Sequence, residues 1–208
     1  QLRQQLGRDR TFFVHATWLP YIGATGELKS KPTQHSVREL RSIGITPNMI
    51  IARADQPINE SLVEKISLFC DVDIQAVIPL VTAPVIYSVP LILEQYHVAD
   101  YILNYFKQKP LKEPDLSDWE RLVKAVETPD HHLKIALVGK YVELHDAYIS
   151  VRESLKHACL NNRSELEILW VQSCDLEDQD PKEILAGVDG IVVPGGFGIR
   201  GTEGKINA

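Results

Sequence analysis

Along this chain, continuous apolar runs alternate with apolar residues at helical spacing, which predicts strands and helices in alternation. Residues 11–20 (TFFVHATWLP) form a β-rich apolar run and predict a buried strand. Residues 21–32 are loop-like, with Gly23, Gly26 and two lysines. A helix is expected next. Ser36-x-x-Glu39 has the form of a capping box, Val37, Leu40 and Ile43 repeat at helical spacing, and Gly44 supplies the stop. A second strand is predicted over 48–54. A helix follows over 59–70, with Leu62, Val63, Ile66, Phe69 and Cys70 inward and Lys65 at the edge of that face. A third strand is expected over 74–81, then helical stretches around 90–96 and 99–108.

Residues 109–132 change character. They are polar, carry three prolines and hold one helical segment near 117–127, which is how an interdomain linker reads. A second alternating unit then begins. A strand over 133–138 ends at Gly139, and a helix over 146–160 turns Tyr148, Val151, Leu155, Ala158 and Cys159 inward. A strand over 166–172 precedes Asp180-Pro181-Lys182-Glu183, which combines an N-cap, a first-turn proline and an acid three residues after the cap. That helix stops at Gly187, and a strand over 190–193 follows. The fold class expected is α/β, with two parallel-sheet domains. Both are expected to be incomplete: the chain opens at Gln1 in what reads as a helix tail and stops at Ala208 where a further helix is due. The expected organisation is a domain over 1–108, a linker over 109–132 and a second domain over 133–208. Isolated, such half-sheets would expose apolar surface and be prone to aggregate.

Composition narrows the functional classes. With 208 residues, 44% of them hydrophobic and 24% charged, the chain reads as an ordinary globular protein. A formal net charge of -6 argues against duplex nucleic acid as a partner, since phosphate-binding surfaces leave a basic imbalance. No apolar run reaches the ~18 residues that span a bilayer. Cys70, Cys159 and Cys174 are widely spaced, without a CxxC pair, which disfavours zinc or a disulfide framework and suits a reducing cytoplasm.

Two runs carry candidate chemistry. Residues 26–34 (GELKSKPTQ) follow a strand, where ligand loops of open α/β sheets lie. Lys29 and Lys31 offer charge for phosphate oxygens, Thr33 a hydroxyl, and Gln34 a side chain that both donates and accepts, as the amide edge of a pyrimidine requires. A helix starting here would add free N–H groups. The same residues equally describe a solvated loop with a helix cap. The second run, 194–201 (PGGFGIRG), contains Gly196-x-Gly198-x-x-Gly201, which formally matches the dinucleotide fingerprint. Two β–α units precede it, however, whereas the fingerprint normally follows the first strand. A Gly-Gly turn with free N–H groups can instead form half of an oxyanion hole, or serve backbone geometry alone.

Together these runs resemble the CTP synthase family. KSKPTQHSVRELRSIGI resembles the signature of its synthetase domain, PGGFGIRGTEGK the turn and lid of its class I glutamine amidotransferase domain, and LVGKYVELHDAYISV the first amidotransferase strand and loop. The resemblance covers essentially the whole chain. It implies a P-loop-like synthetase part and a flavodoxin-like amidotransferase part of an ATP-dependent ligase that converts UTP to CTP in pyrimidine biosynthesis. The uracil 4-oxygen would be phosphorylated and then displaced by ammonia from glutamine. By position, the resemblance assigns UTP or CTP to Lys29, Ser30, Lys31, Pro32, Thr33, Gln34 and Lys65. It assigns glutamine to Gly195, Gly196 and Phe197, with Gly196 in the oxyanion hole, and the lid to Arg200 and Gly201. ATP adenine is assigned to Val81, Thr82 and Ala83, where the family usually carries Asp-Val. It further implies Mg2+ with ATP, GTP as allosteric activator, a cytoplasmic homotetramer when full-length, and neither nucleic acid nor membrane as partner.

The segment lacks a GxxxxGK[ST] phosphate loop and a Gly-flanked nucleophilic Cys, and the magnesium carboxylates are expected before Gln1. The three cysteines read as structural, and the segment alone is expected to catalyse neither half-reaction. Two rivals remain: a nicotinamide-dependent dehydrogenase, resting on the glycine fingerprint, and a non-catalytic nucleotide-binding scaffold or regulatory protein.

Overall fold

The computed structural model describes residues 2–110 and 112–208. Gln1, in the expected helix tail, and Leu111, in the expected linker, lie outside the described residues. The chain divides into two compact units, the first running to Glu120 and the second beginning at Arg121.

In the first unit, a short helix α1 (Leu2–Leu6) precedes β1 (Val14–Trp18). A two-stranded hairpin, β2 (Tyr21–Ile22) with β3 (Glu27–Leu28), occupies the segment expected to be loop. Next come α2 (Lys31–Ser42), β4 (Met49–Ala54), α3 (Glu60–Cys70), β5 (Val77–Val81), α4 (Val89–Gln95) and α5 (Val98–Tyr105). The sheet is parallel in the order β1-β4-β5. Strand β4 is central, so Met49, Ile50, Ala52 and Ala54 are fully buried among Val37, Ile66, Cys70, Val77 and Ile78. A nearly continuous apolar strand is what burial on both faces demands. Phe12 closes the lower edge against Tyr101 and Tyr105.

Two expectations need correction. Helix α2 begins at Lys31, six residues after the turn at Thr25 and well before Ser36. The capping-box pattern is therefore mid-helix, where the Ser36 hydroxyl meets His15 Nε2 at 2.8 Å. Pro32 explains the early start, because a first-turn proline loses no helical hydrogen bond. Phe69 is exposed; it falls on the shoulder of the stripe centred on Ile66 and Cys70, which alone faces the sheet.

Helix α6 (Ser117–Glu127) leads into the second unit, where β6 (His131–Gly139) is central. The order is β7-β6-β8, all parallel, with β7 over Ser164–Gln172 and β8 over Gly190–Val192. Helices α7 (Ile149–Asn161), α8 (Asp175–Asp178), α9 (Pro181–Ile184) and α10 (Thr202–Asn207) complete it. Strand β6 starts two residues before its apolar run, where His132 pairs with Glu165 across the ladder at 2.7 Å. Ala136, Leu137 and Val138 are fully buried. Asp180 caps α9 as its sequence predicts, accepting from the Lys182 N–H at 3.0 Å. Ala158, expected inward, is exposed, whereas Tyr148 and Cys159 are buried. A helix also begins before the chain ends: α10 starts at Thr202, directly after the glycine turn.

That arrangement depends on close packing over Ser173. A Cβ on Gly201 would lie 2.1 Å from the Ser173 hydroxyl oxygen, and one on Gly204 1.6 Å from the Ser173 carbonyl oxygen. Helix propensity alone would favour Gly204→Ala by about 1 kcal/mol. The clash with backbone should reverse the sign, for a net loss of about 1–3 kcal/mol. Thermal melting should show a lower transition for Gly204→Ala, and an unchanged or raised one would refute this packing.

Candidate functional sites at the carboxyl ends of the strands

In the first unit, a cleft of about 710 Å3 opens beside the hairpin. Parallel strands all point the same way, so the segments after β1 and β4 meet at one edge of the sheet. The cleft gathers Lys29, Ser30 and Lys31 from the first segment, and Gln56, Asn59, Ser61 and Lys65 from the second. Three ammonium groups thus surround one space at the first turn of α2. The Lys31 and Thr33 N–H groups belong to that turn, and Gln34 N–H is already bonded to the Ser30 carbonyl at 3.0 Å. Lys29 itself is held at the backbone, its N–H donating to the Pro20 carbonyl at 3.0 Å. Its ammonium contacts the Glu27 carboxylate.

The other residues expected here do different work. Thr33 is buried and donates to the Thr17 hydroxyl at 3.1 Å, fastening α2 to β1. Gln34 donates to the Ser30 hydroxyl at 3.1 Å, which orients Ser30. Pro32 and these two do not line the cleft. Conversely, Tyr21, Glu27, Gln56, Asn59 and Ser61 line it and were not singled out from sequence. The signal for 56–61 was present, since these residues follow β4 at the ligand edge. Asn59 has a structural task as well, capping α3 by accepting from the Leu62 N–H at 2.9 Å.

Val81, Thr82 and Ala83 leave β5 at the same edge. The Thr82 N–H donates to the Ala54 carbonyl at 2.8 Å, and its hydroxyl reaches Asp55 at 2.7 Å. The side chain of Thr82 is thus engaged with its neighbours. No group of three or more His, Cys, Asp or Glu side chains converges among the described residues.

In the second unit, the run from Pro194 to Gly201 lies at the carboxyl ends of β6 and β8. It is held by a reciprocal clasp. The buried Lys140 sends its Nζ to the carbonyls of Phe197 and Gly198, both at 2.9 Å. Arg200 donates back to the Lys140 carbonyl at 2.9 Å and lies over the Tyr141 ring. Behind this, Tyr148 Oη accepts from the Lys140 N–H at 2.8 Å. Lys205 fixes the start of the turn by donating to the Pro194 carbonyl at 2.7 Å. Gly195, Gly196 and Phe197 are exposed, and their N–H groups meet no acceptor among the described residues. Free donors on an anchored turn suit a developing oxyanion. Lys140 and Lys205 lie inside the runs that carry the resemblance but were assigned no role, because their partners are backbone carbonyls, which leave no pattern of residue types.

Burial pushes the thiols of Cys70 and Cys159 up from their ordinary range, opposite to what a nucleophile needs. No helix among the described residues is long and apolar enough to cross a membrane.

Comparison with known proteins agrees with both halves of this description. A family model described as CTP synthase N-terminus matches residues 1–108, and one described as glutamine amidotransferase class-I matches residues 143–208. The CTP synthase of Roseiflexus castenholzii is 52% identical over 208 residues, which is 100% of this chain and 37% of that protein. The CTP synthase of Trichormus variabilis is 50% identical over the same span, covering 38% of its length. That of Dehalococcoides mccartyi is 52% identical over 210 residues, again 38% of its length. The chain therefore spans little more than a third of the curated relatives it matches. The glycine run falls within the amidotransferase match, and nothing supports a dehydrogenase. With its first 108 residues matched by the one model and its full length by these relatives, the chain belongs to the CTP synthase family.

Proposed function

We propose that this segment supplies two part-sites to a glutamine-dependent CTP synthase that aminates UTP with ammonia released from glutamine. The observation carrying the proposal is the convergence of Lys29, Lys31 and Lys65 on one cleft at the ligand edge of a parallel sheet. Three ammonium groups and the first turn of α2 suit the phosphate chain of UTP, or of CTP as product inhibitor. Ser30, oriented by Gln34, adds a hydroxyl. Pro32, Thr33 and Gln34 serve the site by fixing the helix start. Residues 81–83 would border ATP through backbone groups. Mg2+ would accompany ATP as its substrate complex, offsetting the charge of the triphosphate.

At the second part-site, Gly196 with Gly195 and Phe197 would receive the glutamine carboxamide. As the carbonyl carbon becomes tetrahedral, its oxygen gains negative charge, and N–H donors already fixed in place stabilise it without reorganisation. Arg200 and Gly201 would form the lid, with GTP as its activator. The domain division proposed remains 1–108, 109–132 and 133–208, in a cytoplasmic homotetramer when full-length.

Two outcomes test these assignments in the full-length protein. Lys29→Ala should raise the KM for UTP roughly tenfold, the loss expected for one charge-assisted contact. Combining it with Gln34→Ala should add to the defect, whereas undiminished UTP-dependent turnover in the double variant would overturn the nucleotide assignment. Lys140→Met should lower glutamine-dependent synthesis on the order of 10–100-fold, because the turn loses its clasp. Synthesis from free ammonia should stay near wild type. Equal loss with both nitrogen donors would contradict a role confined to the glutamine site.

A further inference from the structure

Among the residues lining the lysine cleft, Glu27 is the one carboxylate. A carboxylate weakens any site meant for phosphate, so its presence there calls for a physical reason. It lies at the start of β3, two residues before Lys29, and accepts directly from the Lys29 ammonium. The hydrogen bond from Lys29, then the charge of Lys29, and more weakly the charge of Lys65 hold the Glu27 carboxyl below the usual carboxylate range. Glu27 is exposed, and so free to swing into solvent. The backbone beneath the pair is anchored on both sides: Tyr21 pairs with Leu28 across the hairpin, and the Lys29 N–H is bonded to Pro20.

We propose that Glu27 is the internal counter-ion of this cleft, holding the Lys29 ammonium in the ligand-free protein and giving it up to the phosphate oxygens of a nucleoside triphosphate. The inference rests on the nucleotide reading of the cleft. In the free state the pair keeps Lys29 directed along the rim and shields it from solution anions. A singly charged anion at Lys29 gains little by displacing a carboxylate of similar charge. A triphosphate engages Lys31 and Lys65 as well, and the exchange becomes favourable. Glu27 thereby biases the cleft towards highly charged ligands, at a small cost in affinity for each.

The test is calorimetric titration of the full-length protein with UTP, comparing wild type, Glu27→Gln and Lys29→Ala over a range of salt. Glu27→Gln should tighten UTP binding by about two- to fivefold at low ionic strength, the scale of one exposed ion pair. The gain should shrink as salt rises, because the uncovered ammonium then attracts solution anions. Weaker binding by Glu27→Gln would make Glu27 a positioning residue for Lys29, and unchanged binding would make the pair irrelevant; either overturns the proposal. Lys29→Ala separates the two levels. If it weakens UTP binding while Glu27→Gln fails to tighten it, only the counter-ion role falls. If Lys29→Ala binds as tightly as wild type, the nucleotide reading falls with it.

Discussion

A strand cannot return to a parallel neighbour without a crossover, and this constraint organises both units. Each crossover buries a helix on the sheet and delivers the chain back to the opposite edge, so every strand ends at the same side. In the first unit β1, β4 and β5 all end where Lys29, Lys65 and Thr82 lie. In the second, β6, β7 and β8 end around Lys140, Ser173 and Pro194. Residues far apart in sequence are thereby gathered without any direct pairing between them. The central strands β4 and β6 bear the cost of that arrangement, being buried on both faces, and their side chains are correspondingly apolar.

Polar contacts then decide what each edge can do. The Lys140 and Arg200 clasp satisfies three carbonyls and fixes a turn that is otherwise rich in glycine and exposed. The Lys140 ammonium is spent on two of these carbonyls, and the N–H groups of Gly195, Gly196 and Phe197 stay free on the turn. The lysine cleft works the other way. Its ammonium groups are directed at solvent space, and only Lys29 meets a carboxylate. One edge thus offers fixed backbone dipoles, the other exposed ammonium charge. A buried, clasped cation suits the first and exposed, flexible cations the second.

Much of this was legible in the sequence, and the exceptions have common causes. Strands β4, β6 and β7 and helix α3 follow from apolar runs and spacing, and Asp180 announced α9 by local chemistry alone. The start of α2 was misread because Ser36-x-x-Glu39 imitates a cap, while Pro32 carried the true signal. The hairpin β2–β3 escaped notice because two-residue strands leave no alternation to detect. In the site, charged residues beside a strand end were visible, but direction was not: Thr33 turns inward to Thr17 and Gln34 to Ser30. Glu27 lies in a segment expected to be loop, and its residue type alone does not mark the contact with Lys29.

Residues 26–31 and 56–65 are proposed to form one nucleotide cleft. Hydrogen exchange of the full-length protein, with and without UTP, addresses it most directly, since binding slows exchange where the ligand orders the backbone. Protection should rise in both segments together and leave 95–104, at the α4–α5 junction outside the cleft lining, unchanged. Protection confined to 95–104, or absent from 26–31 at saturating UTP, would contradict the claim.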